Sequence, residues 1–294
     1  MRALALLAFL LTLPAASAVA APAAEGQWHA WTGGKTADVF QIADIQLRLR
    51  QDVGPGDLLT PVAVIEKDGI TASLRGATAG PGSAGARFGL FPLDGASRAP
   101  VLLFSSYSGG AHCCFAYLAA RMVDGRWQVS ELGDWDGSAQ LEPKDVDGDG
   151  RLELLARDQR FLYQFDSYAG SLPPPRIYEL AEGKLVDVSA APRFRAFYAA
   201  QLAQYRTACE QGGPGACTGY VAVAARAGDA APAFAVLERS TRTAQGPFRI
   251  PGRCEDKTST CPDETFDHLR DAVDQFLHEL GYLPDARTSS GAAS

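Results

Sequence analysis

Four carboxylates fall within nine residues in the stretch Asp145-Val146-Asp147-Gly148-Asp149-Gly150-Arg151-Leu152-Glu153. Like charges this close repel one another unless a cation neutralises them. Oxygen ligands at alternate positions suit a hard ion such as Ca²⁺. Gly150, the sixth residue of the stretch, permits the sharp turn that folds such a loop round one ion. The stretch therefore predicts a Ca²⁺ site formed by the side chains of Asp145, Asp147, Asp149 and Glu153 and by the backbone carbonyl of Arg151.

The residues that follow this stretch argue against an EF-hand. An EF-hand has a bidentate Glu at the twelfth loop position and a helix on each side, but the twelfth position here is Ala156. Phe161, Tyr163 and Phe165 then recur at every second position, which is typical of a strand. The stretch is therefore predicted to be a loop between β-strands. A solvated Asp-Gly turn without an ion is the alternative, because Asp-Gly pairs are common in hairpins.

The pattern Asp-x-Asp-x-Asp-Gly-x-x-Glu, carried by Asp145, Asp147, Asp149, Gly150 and Glu153, resembles the FG-GAP repeat. That repeat is a calcium loop found in the β-propeller blades of integrin α-subunits and in many bacterial secreted proteins. The resemblance ends near Leu154, and the chain has one full copy of a motif that the family repeats. It implies Ca²⁺ as the cofactor and an exported β-rich protein.

The chain from residue 26 to residue 190 has the pattern of antiparallel β-structure. Apolar and polar residues alternate along 45–50, 70–75 and 126–130, as they do in half-buried strands. Four Asp-Gly pairs lie between such runs, and each is predicted to be a tight hairpin turn: Asp68-Gly69, Asp94-Gly95, Asp124-Gly125 and Asp136-Gly137. A closed propeller needs at least about four blades, more than this region holds. We expect an antiparallel β domain that is either partly propeller-like or a sandwich.

Residues 191–283 instead show helical spacing, so the chain as a whole is predicted to be α+β. One helix is expected over 194–205, a second over 216–227 and a third that opens with Pro232. A last apolar stripe from Phe266 to Leu280 predicts a fourth helix, capped by Asp263 or Thr265. The tail, residues 284–294, is expected to be disordered.

The first twenty residues have the pattern of a secretory signal peptide. Arg2 precedes an apolar run over 3–13, and small residues follow up to Ala18 and Ala20, where cleavage is expected. The run is too short to cross a bilayer, and no later run approaches the roughly 18 apolar residues of a membrane span. We therefore expect an exported protein, in the periplasm or outside the cell, without a membrane span.

The charge balance argues against nucleic acid as a partner. The chain has 27 Lys and Arg against 34 Asp and Glu, a net charge of −7. Removal of residues 1–20 takes away only Arg2, so the mature net charge is 26 − 34 = −8. Nucleic-acid binding requires a basic patch that neutralises phosphates, and none is evident in the sequence.

Six cysteines in an exported chain predict three disulfides. Cys209 and Cys217 end one predicted helix and begin the next, so a bridge between them can clamp a helical hairpin. The stretch 205–217 resembles the hairpin of secreted cysteine-rich, tetratricopeptide-like repeats, in which such a pair is bonded. Cys254 and Cys261 flank a polar loop and are expected to form a second local bridge.

Cys113 and Cys114 are adjacent, which leaves several interpretations open. The pair could form a vicinal disulfide, serve as two small buried hydrophobes, act as a redox switch, or bond to distant cysteines. Cys114 and His112 share a strand face and could also form a metal or nucleophile site. No third residue identifies itself as their partner.

Two functions follow from these observations. The first is an exported calcium-binding protein that is not an enzyme and binds an unidentified protein or glycan. The alternative is an exported hydrolase or thiol-redox enzyme that uses the turn His112-Cys113-Cys114. The sequence provides no convincing catalytic set, which favours the first.

Overall fold

The computed structural model describes residues 20–34, 36–95, 98–252 and 262–284. It has an α+β fold, with the helices in the C-terminal part of the chain, as the sequence predicts. The strands are β1 Ala21–Ala23, β2 His29–Trp31, β3 Asp38–Ile42, β4 Ile45–Val53, β5 Leu59–Lys67, β6 Ile70–Arg75, β7 Ala86–Asp94, β8 Ala99–Tyr107, β9 Phe115–Val123, β10 Arg126–Trp135, β11 Glu142–Lys144, β12 Glu153–Arg157, β13 Pro175–Ala181, β14 Lys184–Asp187, β15 Phe248–Ile250 and β16 Glu264–Phe266. The helices are α1 Arg195–Ala199, α2 Leu202–Gln211, α3 Pro214–Ala227, α4 Ala231–Ser240 and α5 Leu269–Glu279.

The first sheet has five strands in the order β1-β3-β4-β5-β6. All neighbours are antiparallel except β1 and β3, which run parallel. The turn between β5 and β6 is the predicted Asp68-Gly69 pair, and both residues have positive φ, 51° and 77°. Positive φ at both central positions defines the hairpin turn whose twist matches that of the strands.

The second sheet has the strand order β10-β9-β8-β7-β13-β12-β11, with β14 paired to β13 and β2 paired to β7. Strands β7 to β10 form an antiparallel meander. The β9–β10 turn is the predicted Asp124-Gly125 pair, again with positive φ at both residues. A register shift between Glu131 and Gly133 marks a bulge in β10, the strand at one end of this sheet.

The two sheets pack face to face, as in a sandwich, which is one of the two predicted architectures. Leu47 and Ile65 of the first sheet and Leu102 and Phe104 of β8 belong to one buried cluster. The neighbouring residues of β8 point the other way because side chains alternate along a strand. Leu103 joins a second cluster, with Tyr117, Trp135, Leu154 and Tyr178. Strand β8 is therefore buried on both faces.

The helical part has its own core, built on α3 and on the far side of β12 and β13. Tyr198, Tyr205, Val221 and Phe276 are buried there together with Ile177 of β13. Helices α2 and α3 form a hairpin joined by a disulfide between Cys209 and Cys217. Helix α3 ends at Gly228, whose φ of 116° suits a helix-terminating residue.

Three local predictions are wrong. The expected helix over 194–205 is interrupted between α1 and α2, where the Gln201 N–H bonds to the Tyr198 carbonyl, three residues back, a tighter spacing than in an α-helix. The strand predicted at Phe161, Tyr163 and Phe165 is a short 3₁₀ turn followed by loop, because Asp158 caps the turn. The pair Asp136-Gly137 does not form a tight hairpin, since β10 pairs with β9 and β11 pairs with β12.

The predicted cap of the last helix is also wrong. Residues 264–266 form β16 and pair with β15, so Asp263 precedes a strand and Thr265 lies within it, and neither caps a helix. Helix α5 starts after His268, which has extended backbone angles and makes no side-chain capping bond. Pairing with a distant strand has overridden the local capping signal.

The signal peptide apart from residue 20, the Cys254–Cys261 bridge and the tail from residue 285 lie outside the described residues. In the part of the chain that is described, no helix is long and apolar enough to cross a membrane.

Candidate metal site

The acidic stretch is a loop that joins two antiparallel strands, β11 and β12, as the sequence predicts. Register pairs from Glu142↔Leu155 to Lys144↔Glu153 hold its two ends together. Gly148 and Gly150 both have φ of 81°, a backbone conformation that L-residues with side chains rarely adopt. The two glycines let the chain turn tightly enough for the carboxylates to converge.

The structure brings three of the predicted ligands together. Asp145, Asp147 and Asp149 each offer a carboxylate oxygen, and these oxygens lie within 4.8 Å of one another. Backbone N–H groups inside the loop fix the side chains. Gly148 donates to Asp145 Oδ1 at 2.8 Å and Gly150 donates to Asp145 Oδ2 at 3.0 Å. The Arg151 N–H donates to Asp149 Oδ1 at 2.8 Å.

Glu153, the fourth predicted acidic ligand, lies beside this group and not within it. Its side chain is buried, and its Oε2 accepts a hydrogen bond from the Val146 N–H at 3.0 Å. Burial raises the pKa of the Glu153 carboxyl, and the negative charges of Asp147 and Asp149 raise it further. Glu153 therefore ties the start of the loop to β12 and adds negative potential next to the three aspartates.

Arginines from three parts of the chain approach the loop. Arg193, just before α1, places Nε 3.2 Å from Asp147 Oδ2 and Nη2 2.5 Å from Glu179 Oε1. Arg98 donates to the Gly150 carbonyl at 2.7 Å. The exposed Arg151 side chain, a predicted ligand through its carbonyl alone, lies 3.9 Å from Asp149 Oδ2. Among the described residues, Arg193 alone makes a close ion pair within the cluster, and it does so with Asp147, so the cluster keeps most of its negative charge.

The donor set fits a hard divalent cation. All the converging ligand atoms are carboxylate oxygens, and no nitrogen or sulfur ligand lies with them among the described residues. Ca²⁺ takes six to eight oxygen ligands, including waters and backbone carbonyls. Three aspartates and the loop carbonyls would supply part of that shell, and Arg193 would remain beside it.

The second candidate region is the loop between β8 and β9. Cys113 and Cys114 are joined in a vicinal disulfide across a cis peptide bond. The Cys114 N–H donates to Ser108 Oγ at 2.8 Å. With the pair oxidised there is no thiolate, so neither nucleophilic attack nor metal binding by Cys114 is available in this state.

His112 faces an aromatic partner instead of a catalytic one. Its ring stacks on Tyr168 with 4.1 Å between centroids. The Tyr168 hydroxyl donates to Asp136 Oδ1 at 2.5 Å. Burial opposes the charged form of Asp136, but hydrogen bonds from Tyr168 and Ser138 outweigh it and lower the Asp136 pKa. This arrangement holds three loops together at one end of the sheet.

The sequence did not reveal the part played by Arg98 and Arg193. Both come from outside residues 145–153, and their approach depends on how β7, β13 and α1 are placed around the loop. Nothing in their local sequence distinguishes them from other arginines.

Comparison with known proteins gives two relatives. One is named a "Probable thylakoid lumen protein" of Synechocystis sp. and is 33% identical over 164 residues, which are 55% of this chain and 48% of that protein. The other is an uncharacterized protein of Sinorhizobium fredii, 28% identical over 258 residues, which are 83% of this chain and 40% of that protein. The chain thus spans less than half the length of either relative. No family matches the chain, and no solved structure matches it.

Proposed function

We propose that the protein is an exported calcium-binding protein that works as a non-enzymatic binding module. The observation that carries the calcium proposal is the convergence of three aspartate oxygens within 4.8 Å on one loop. Such a cluster is costly without a cation, because each added carboxylate raises the electrostatic energy of the others. The FG-GAP-like spacing of Asp145, Asp147, Asp149, Gly150 and Glu153 supports the same ion.

Three observations support export. The first twenty residues carry the signal-peptide pattern, and a relative is named a probable thylakoid lumen protein. The disulfide between Cys209 and Cys217 also suits an oxidising compartment. The proposed location is the periplasm or the cell exterior.

Calcium would act here as a structural ion. The loop connects β11, a three-residue strand at the end of the sheet, to the buried strand β12. A cation shared by Asp145, Asp147 and Asp149 would hold the two strands together and reduce the repulsion felt by Glu153. An ion bound only by the folded protein stabilises it by mass action.

The test is a calorimetric Ca²⁺ titration of the chelator-stripped protein, with an Asp145→Asn variant beside it. We expect one site in the native protein and loss of that site in Asp145→Asn, because both Asp145 oxygens are fixed toward the loop. Asp124→Asn is the matched control, since it makes the same charge change in the β9–β10 turn. Absence of binding heat in the native protein, or equal loss in both variants, would refute the proposal.

A second candidate function is thiol-redox chemistry at the β8–β9 loop. The observation in its favour is that Cys113 and His112 are exposed, so a small dithiol can reach the disulfide. Incubation with dithiothreitol, followed by labelling with a maleimide and mass spectrometry of the peptide, tests it. Selective reduction of the Cys113–Cys114 pair before the Cys209–Cys217 pair would favour this function, and equal resistance of both would argue against it.

A further inference from the structure

A cleft of about 530 Å³ lies between the β11–β12 region and α1. Directly opposed residues of an antiparallel pair share a face of the sheet, so the register places Lys144, Leu155 and Arg157 on the face that looks toward the helices. The side chains that line this cleft include Ser138, Gln140, Lys144, Arg157, Phe197 and Gln201.

The junction between α1 and α2 borders this cleft. Helix α1 has only five residues, and the chain tightens between Tyr198 and Gln201 before α2 begins. Phe197 and Gln201 flank that interruption and form one wall.

The cleft is cationic although the chain is acidic. Neither Lys144 nor Arg157 has a carboxylate partner within the described residues. The Nη1 of Arg157 donates to two neutral oxygens, the Tyr205 hydroxyl at 2.7 Å and the Pro173 carbonyl at 3.0 Å.

The one carboxylate that lines the cleft, Glu142, is already engaged. Its Oε1 accepts from Arg87 at 2.7 Å and its Oε2 accepts from the indole N–H of Trp28 at 2.9 Å. Two cations with no acid of their own favour an anionic ligand, which they can bind by charge-assisted hydrogen bonds.

The other residues that line the cleft indicate the chemistry of the uncharged part of that ligand. The Phe197 ring forms an apolar surface, with the Lys144 ammonium 5.8 Å from its centroid. Around it stand the side-chain amides of Gln140 and Gln201, each of which donates one N–H to a backbone carbonyl and keeps the other. The Ser138 hydroxyl donates to Asp136 Oδ1 and is left as an acceptor. An aromatic face beside several neutral donors and acceptors suits a sugar ring, whose C–H face is apolar and whose edge carries hydroxyls.

We propose that this cleft binds a saccharide that carries a carboxylate, of the hexuronic acid class. The carboxylate pairs with Lys144 and Arg157, the ring lies against Phe197, and the hydroxyls bond to Ser138, Gln140 and Gln201. The proposal names the ligand class of the binding module and rests on that part of the proposed function, but it does not require calcium.

The experiment follows the backbone amides of Gly137 and Ser138 by ¹⁵N NMR while sodium glucuronate is added to the full protein in the presence of a chelator. Glucose and benzoate are added in parallel titrations at the same ionic strength, because binding to exposed cations is screened by salt. Lys144→Gln removes the exposed cation. Lys184→Gln, at the start of β14, is the matched control because it makes the same charge change on another exposed lysine.

We expect saturable shifts with glucuronate and much weaker shifts with glucose. Lys144→Gln should weaken glucuronate binding by roughly tenfold, the loss typical of one charge-assisted contact, and Lys184→Gln should leave it unchanged. Absence of shifts with glucuronate, equal shifts with glucose or benzoate, or equal loss in both variants would overturn the proposal. Because the titration is done without calcium, these outcomes are independent of whether the acidic loop binds Ca²⁺.

Discussion

The three aspartates of the acidic loop and the single carboxylate of Asp158 lie close together in the sequence, and their surroundings are opposite. In the acidic loop, oxygens of Asp145, Asp147 and Asp149 lie within 4.8 Å of one another, and the close ion pair found there joins Arg193 to Asp147. Asp158, at the end of β12, is fully buried and surrounded by donors. It accepts from Arg160 Nε at 2.7 Å and from the Tyr282 hydroxyl at 3.0 Å, and Arg176 lies 3.8 Å away.

The difference shows how one residue type can serve two purposes. The Asp158 carboxylate has its partners inside the protein, so its charge is a fixed part of the core. Burial and the Asp158 charge raise the pKa of Tyr282 well above its usual value, which keeps that hydroxyl as a donor. The loop aspartates face repulsion that the protein relieves only in part through Arg193. Asp158 is thus neutralised by partners inside the protein, whereas the loop aspartates keep much of their mutual repulsion.

The largest expected effect is that of Asp158→Asn. The substitution leaves Arg160 and Arg176 without the buried carboxylate. It also places the NH₂ group of an amide, a hydrogen-bond donor, among other hydrogen-bond donors. Removing one partner of a buried ion pair costs about 3–5 kcal/mol. Urea unfolding should show this loss equally with Ca²⁺ and with chelator. A loss below about 1 kcal/mol, or one that calcium reverses, would break the distinction between the two groups.

Asp149→Asn should have the second-largest effect on stability. At a free Ca²⁺ concentration of about 100 times Kd, the native protein should gain about 2.7 kcal/mol of unfolding free energy from the ion. The variant should lose that gain, yet in chelator it should be at least as stable as the native protein because one repelling charge is gone. Melting temperatures of both proteins, measured with and without Ca²⁺, check this. A variant that is less stable in chelator would show that the aspartates support the fold without an ion.

Glu153→Gln should have a smaller effect that depends on pH. The pKa of Glu153 is raised in the folded protein, so the folded state holds this proton more tightly than the unfolded chain does. The ionised Glu153 carboxylate therefore lowers the free energy of unfolding. This loss is absent below the pKa of Glu153 in the unfolded chain, grows as the pH rises through the pKa in the folded protein, and is then fully present. The amide still accepts from Val146, so the variant should be more stable than the native protein at pH 7 in chelator and little changed at pH 4. Thermal unfolding at both pH values tests this, and a loss of stability at pH 7 would contradict it.

The smallest effect is expected for Arg151→Gln. The side chain is exposed and its Nε is 3.9 Å from Asp149, so stability should change by less than about 0.5 kcal/mol. Calcium affinity should rise slightly, by roughly twofold, because a nearby positive charge is removed. Calorimetric titration of the variant checks this. A fall in affinity of tenfold or more would mean that the Arg151 side chain supports the site.

The features that the sequence predicts well are those that local chemistry determines. Asp68-Gly69 and Asp124-Gly125 are hairpin turns because both positions need positive φ. Residues 145–153 form a loop between two strands because their glycines and like charges favour a turn. The convergence of Asp145, Asp147 and Asp149 follows from spacing within one short segment.

The features that the sequence misses depend on distant pairing. Residues 264–266 form a strand because 248–250 lie beside them, and no local capping residue could show this. Its position alone does not show that Glu153 Oε2 accepts a hydrogen bond from the Val146 N–H, and its role as a ligand stays a prediction. The cationic cleft joins Lys144 to Phe197, which are 53 residues apart. Hydrophobic periodicity does not reveal this juxtaposition, because it depends on how α1 packs beside β11 and β12.

Strand β10 bears on the solubility of the protein at high concentration. It is ten residues long and ends the nine-stranded sheet. A long edge strand, if it is flat, can pair with the same strand of another molecule and start aggregation. The bulge between Glu131 and Gly133 twists the strand, and exposed residues such as Arg126 and Gln128 make such pairing unfavourable. The same irregularity that interrupts the ladder therefore acts as a safeguard against fibril growth.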